Sequence, residues 1–298
     1  MVTVQDPTVQ RRRLKVELRK ARDSAGLKQA EVARAMDWSP SKLIRIESGQ
    51  VNISTNDLKA LLSHYGVRDA ALVNRLLDLA RQTRSSSFYD QYGDVLKPGF
   101  KEYLGYEASA SVIRQYDPVL VPGLLQTEEY GRAILEQAAE FGPQDVDRAW
   151  TVRQHRQEVH EREDPPEMLV IVDEAAIRRR VGRGQTMRHQ LERLREYADQ
   201  SHITVQVLPF AHGAHPGMLG NFILLEFADP NLDDLVHIES FTQMTIRDDT
   251  ELIARYLDKF LHMERLSLSP DDSKVMLESL ISEMSSANAA VSAEKVAS

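Results

Sequence analysis

Cysteine is absent from the 298 residues. Its absence excludes disulfides and thiolate metal sites, and fits a reducing cytoplasm. Long apolar runs are missing as well. "VLVPGLL", "MLVIV" and "FILL" fall far short of the roughly 20 residues that span a bilayer. The opening "MVTVQDPTVQRRR" has no apolar core, so no secretory signal is expected. Common catalytic signatures are also lacking: the chain has no GxSxG, P-loop, GxGxxG or HExxH stretch. "VGRGQTM" holds glycines without the strand and phosphate-loop context that would give them a role.

What is present suits a globular protein of about two domains: 42% of residues are hydrophobic. The net charge of −8 hides a split. Residues 1–84 carry 16 Lys and Arg against 9 Asp and Glu, a net +7, whereas the rest carries 21 against 36, a net −15. A basic head on an acidic body implies that only the head meets a polyanion.

Five helices are expected in the head. Val9 to Ala25 repeats Leu14, Leu18 and Ala21 at helical spacing, and Gly26 ends it. "KQAEVARAMDW" follows, then a short helix within "WSPSKLIRIESGQ". "STNDLKALLSHYGV" is capped by Ser54, Thr55 or Asn56, and "DAALVNRLLDLARQTR" is the fifth. "SSSFYDQYGDVLKPGF" then closes the domain.

In the third helix Ser39 is placed to cap the first turn, and Pro40 takes the position where a missing N–H costs nothing. Leu43 and Ile46 share a face that, with Trp38, can anchor the helix to a core. Ser41, Lys42 and Arg45 fall on other faces, exposed near the N-terminus as major-groove reading requires. Gly49 supplies a positive-φ stop.

"GLKQAEVARAMDWSPSKLIRIESGQ" resembles the Xre/Cro/phage-repressor family of helix-turn-helix domains. The resemblance implies that Gln29 clamps the DNA backbone and that Ser41 and Arg45 read bases. Arg45 suits a bidentate guanine contact, with a phosphate contact as its alternative. Lys28 is assigned to phosphate, and Ser39 and Lys42 complete the DNA-facing set. Pro40 and Ile44 depart from the family pattern; Ile44 touches a thymine methyl or simply packs. The resemblance also implies a structural ion pair between Arg22 and Glu47.

The second half mixes types. Strands are expected in "ASVIRQYDPVLVPG", "EMLVIVDE", "HITVQVLPF", "GNFILLEF" and "DLVHIES". Helices are expected in "LQTEEYGRAILEQAAE", "PQDVDRAWTVRQHRQEVHERE", "TMRHQLERLREYADQ", "DDTELIARYLDKFLHMERL" and "SPDDSKVMLESLISEM". Asp173 or Glu174 caps a short helix at "EAAIRRR". The expected organisation is an all-α five-helix helix-turn-helix domain (1–84), a linker (85–105), an α+β regulatory or partner-binding domain with a C-terminal helical segment (106–284), and a disordered tail (285–298).

The blocks "PGLLQT" and "VQVLP" resemble the actinobacterial helix-turn-helix regulators with an uncharacterised conserved C-terminal domain, including WhiJ-type developmental regulators. That resemblance implies a cytoplasmic transcription regulator, often paired with a small acidic protein encoded nearby in an antitoxin-like arrangement. No catalytic residue, cofactor or metal is expected. His212 and His215 form an HxxH without an evident third ligand. His155 and His160, five apart, do not share a helical face. Asp173 and Glu174 could be a carboxylate pair, but a helix cap explains them more simply. Leu124 and Leu125 after a Pro-Gly turn, and Met218 and Leu219 in a Gly-rich loop, are either tucked into the core or offered to a partner. A homodimer on a near-palindrome is expected, since one recognition helix covers a half-site. A small-ligand sensor is the alternative reading of the body, and a fused hydrolase a third.

Overall fold

The structure is a computed structural model that describes residues 6–97, 99–137, 142–183, 185–239 and 243–296, with side chains as far as Ser286. The chain divides into two compact units. The first comprises Met1–Asp90 with Leu104–Ser109 and Asp229–Leu232; the second comprises Gln91–Tyr103, Ala110–Ala228 and Asp233–Ser298.

The first unit is built on α1 (Pro7–Ser24), α2 (Gln29–Ala35), α3 (Pro40–Glu47), α4 (Thr55–His64) and α5 (Ala70–Gln82). Short polar side chains set the helix starts. Asp6 accepts the Thr8 amide at 2.9 Å, so α1 begins two residues before its expected start. Ser39, Ser54 and Asp69 cap α3, α4 and α5 in the same way. Leu14, Leu18, Val32, Leu43, Leu58 and Leu76 meet in one core. Removing such apolar area from water supplies the main driving force for the bundle.

The expected 85–105 linker is instead partly structured. A 3₁₀ turn spans Phe88–Tyr92, and α6 (Phe100–Glu107) follows. Tyr89, Tyr103 and Leu104 are buried there, because aromatic and aliphatic side chains this large gain more from packing than from exposure.

The second unit holds a six-stranded sheet in the order β3-β2-β1-β4-β5-β6. Its strands are β1 (Val112–Asp117), β2 (Glu167–Asp173), β3 (Ile203–Leu208), β4 (Phe222–Glu226), β5 (Leu235–Glu239) and β6 (Met244–Arg247). β1, β2 and β3 run parallel; β4, β5 and β6 pair antiparallel. The helices are α7 (Glu128–Leu135), α8 (Pro143–Gln157), α9 (Glu174–Arg178), α10 (Thr186–Tyr197), α11 (Thr250–Leu266) and α12 (Pro270–Val296). β6 and α6 were not among the expected strands and helices.

Alternation sorts the two sheet faces. Tyr116, Ile171, Leu208, Phe222, Leu224 and Val236 pack against Phe260 and Met263 of α11. The opposite face carries Ile113, Gln115 and Asp117 of β1, in register with Leu225 and Ile223 of β4. The free edge of β3 is blunted: Ser273 Oγ accepts the Val207 amide at 3.0 Å, and Leu268 donates its amide to Val207 at 2.9 Å. The helix α12 continues to Val296, through the segment expected to lack structure. Among the described residues no helix is long and apolar enough to cross a membrane.

Candidate DNA-binding surface

The sequence of α3 divides its two faces. Leu43, Ile46 and Glu47 are buried, while Ser41, Ile44 and Arg45 are exposed. At 100° per residue the exposed three fall on one arc, opposite the anchored face. Ile44 is 49% exposed, so about half of its surface stays free in the isolated chain. Arg45 is held loosely, its Nε 3.4 Å from the Ser41 carbonyl. The turn before α3 places Asp37 at φ 54, where a short polar side chain tolerates left-handed backbone. Gly49 at φ 76 ends α3 as expected.

Three of the expected DNA-facing side chains are engaged within the protein. Ser39 Oγ caps Lys42 N at 3.2 Å. Lys42 Nζ lies 3.2 Å from Asp57 and 4.0 Å from the Trp38 ring centroid. Gln29 donates its side-chain amide to Glu47 at 2.7 Å, so its NH₂ points into the protein rather than away from it. Lys28 is exposed, and its backbone amide is capped by Glu31 at 2.9 Å.

Arg22 and Glu47 do pair. Arg22 Nε lies 2.9 and 3.2 Å from the two carboxylate oxygens, and Arg22 Nη1 donates to the Leu27 carbonyl at 2.9 Å. Glu47 is completely buried. Sequence reasoning missed two of its three partners, Gln29 and the Tyr65 hydroxyl at 3.1 Å. Burial, the Glu47 charge and the hydrogen bond to it together push the Tyr65 phenol well above its ordinary range. Burial pulls the Arg22 guanidinium down, but hydrogen bonding and charge from Glu47 more than offset this and leave it raised. The network ties the end of α1, the start of α2, the end of α3 and the end of α4 around one carboxylate. It fixes the angle at which α3 presents its outer face.

The remaining candidates lie in the second unit. Leu124 and Leu125 are corrected: they are 1% and 0% exposed, in a 3₁₀ turn at Gly123–Leu125. Gln190 Nε2 donates to the Leu125 carbonyl at 2.8 Å, and His160 Nε2 meets the Leu124 carbonyl at 3.1 Å, which pins the turn inward. They form core, not a docking surface. Met218 and Leu219 are 67% and 90% exposed, and Phe210, in the preceding 3₁₀ turn, is 56% exposed.

Asp173 is the cap of α9, accepting the Ala175 amide at 2.8 Å. Glu174 is used by Arg178 and by the Phe210 amide at 2.7 Å. His215 Nε2 lies 3.4 Å from Asp173, whereas His212 is exposed. Among the described residues no three His, Cys, Asp or Glu side chains converge as a metal site.

An α3 anchored on one face and open on the other, preceded by α2 across a tight turn, defines a helix-turn-helix protein joined to a mixed-sheet domain. Residues 13–76 match the family model described as a helix-turn-helix domain. Residues 100–279 match the model described as "Domain of unknown function (DUF5753)", and the chain belongs to that family. No curated protein and no solved structure matches the chain.

Proposed function

We propose that this chain is a sequence-specific regulator that binds double-stranded DNA as a two-fold dimer and catalyses nothing itself. The observation that carries the reading is the sorting of α3: Leu43, Ile46 and Glu47 are locked inside while Ser41, Ile44 and Arg45 are offered outward. Ser41 and Arg45 read base edges, Ile44 meets a thymine methyl, and Lys28 contacts phosphate. The net +7 of residues 1–84 supports the electrostatic part of binding. The chain is further assigned to Xre/Cro-type regulators of actinobacteria, in the cytoplasm. Selection of bound duplexes from a random pool tests it. The wild type returns one near-palindromic motif, and Arg45→Ala relaxes one base pair in each half-site. An unchanged motif from Arg45→Ala removes the base-reading role.

For the second unit, a partner-protein reading rests on the exposed Phe210, Met218 and Leu219. A small acidic protein encoded nearby is the expected occupant. Co-purification from the native host, repeated with Met218→Ser/Leu219→Ser, tests it: the double variant loses a partner that the wild type retains. Retention by the double variant refutes this surface.

A further inference from the structure

The sheet face turned away from α11 carries polar side chains in its interior. Register places Gln115 and Asp117 of β1, His237 and Glu239 of β5 and Met244 of β6 on that one face, with Ile223 of β4 between them. A cavity of about 280 Å³ lies over them. Its opposite wall is α8, through Val152, Arg153 and Arg156, together with Phe100 and Tyr103. All of these residues belong to the second unit. The volume approaches that of small-molecule sites, roughly 300–1,000 Å³, and far exceeds one water.

The polar groups define what the cavity lacks. Gln115 is 7% exposed and lines the cavity, with no protein partner for its side-chain amide among the described residues. Asp117 uses Oδ1 to accept the Val119 and Leu120 amides at 3.2 and 3.0 Å. Its Oδ2 has no partner among the described residues, and neither Asp117 nor Glu239 forms an ion pair there. The cations stand on the other side of the cavity, away from the floor: Lys97 is exposed, and the two arginines are held by neutral partners. Arg153 donates to Gln126 Oε1, and Arg156 sits 5.4 Å from the Phe100 ring and 5.9 Å from the Tyr103 ring. The unmet demand is therefore for N–H donors and positive charge on the sheet floor, beside aromatic rings. Phe100, only half-buried, stacks on the buried Tyr103 ring at 5.6 Å with an interplanar angle of 14° and gives the wall an aromatic edge.

We propose that this cavity binds a small planar organic cation, an aromatic ring carrying an amidine or amino group. Its N–H groups meet Asp117, Glu239 and the Gln115 carbonyl, and its ring lies against Phe100 and Ile223. Polar groups that face a roomy cavity without a protein partner are met by water or by a ligand, and a ligand of matching chemistry displaces that water. An aromatic anion seated on the same floor meets the Asp117 and Glu239 carboxylates and is repelled there; one held instead by Lys97, Arg153 and Arg156 is the competing outcome that the test distinguishes. The inference rests on the second unit alone and stands or falls separately from DNA binding.

Benzamidine and benzoate are near-isosteric and opposite in charge, so they form the test pair. Thermal unfolding of the full chain is followed at neutral pH and matched ionic strength with each. Benzamidine raises the unfolding temperature in a dose-dependent manner at millimolar concentration, and benzoate does not. Glu239→Gln weakens the benzamidine effect about tenfold, the scale expected for loss of one charge-assisted contact. Ile223→Trp, which fills the cavity without touching its charges, abolishes the effect; a normal circular dichroism spectrum shows that the variant is folded. Three results overturn the proposal: no shift with benzamidine, an equal or larger shift with benzoate, or a benzamidine shift unchanged in both variants.

Discussion

Removing Arg22 probes the buried network under α3. In Arg22→Ala, Glu47 stays fully buried with its carboxylate held by Gln29 at 2.7 Å and Tyr65 at 3.1 Å but with no cation. Breaking such a pair from one side costs about 3–5 kcal/mol, a large part of a typical domain stability of about 5–15 kcal/mol. With Glu47→Leu alone completing the cycle, the double variant Arg22→Ala/Glu47→Leu removes both charges. It leaves the Tyr65 hydroxyl without its acceptor, a loss of about 1–3 kcal/mol. The double variant is therefore more stable than Arg22→Ala, and the two sites couple by at least about 2 kcal/mol. The assay is urea unfolding of the full chain followed by Trp38 fluorescence. Trp38 and Trp150 are the chain's two tryptophans, so a Trp150→Phe background isolates the first unit. Effects that add to within about 0.5 kcal/mol would refute the reasoning, since they would mean that Arg22 and Glu47 act independently.

Three further outcomes follow from the same geometry. Lys28→Ala weakens binding to all duplexes alike and lowers the salt slope by about 1, as a phosphate contact requires; a changed sequence motif contradicts this. Gly49→Ala destabilises the first unit by about 1–2 kcal/mol in the same unfolding assay. Its φ of 76 disfavours an L side chain, although an added Cβ meets only Lys15 Cδ at 3.9 Å. Asp117 is raised to about 6, chiefly by burial, with the Glu239 charge adding to it against the Leu120 and Val119 amides. The folded chain thus holds this proton more tightly than the unfolded chain, and the group's contribution falls as pH rises from about 4 through 6. Asp117→Asn is then more stable than the wild type at pH 8 by up to about 2–3 kcal/mol, and the gap closes near pH 4. A gap that persists at pH 4 in pH-dependent unfolding contradicts the assignment.

The first unit was largely legible in the sequence because its signals are local. Ser39, Pro40 and Gly49 mark both ends of α3 within ten residues of one another. Leu43 and Ile46 declare its inner face by spacing alone. The Tyr65 contact on Glu47 was not legible, because Tyr65 lies 18 residues away and reaches it only when α4 is packed. The inward turn of Gln29 was hidden for the same reason: its partner is on another helix. In the second unit, "PGLL" marks a turn but not the direction in which its leucines point. Long-range bonds from Gln190 and His160 decide that. The polar floor of the cavity stayed invisible because Gln115, Asp117, His237 and Glu239 each read as an ordinary alternate residue of a strand. Only strand register brings β1 and β5 onto one face across β4.

The central claim is that the outer face of α3 reads sequence. The most direct measurement is equilibrium binding of the full chain to its selected duplex and to a scrambled duplex of equal composition, across a range of salt concentrations. The account predicts a preference of at least about 10³-fold for the selected duplex at physiological salt, with affinity for both falling linearly on a log–log plot. Equal affinity for the two duplexes at every salt concentration, or no binding to either at low salt, would contradict it.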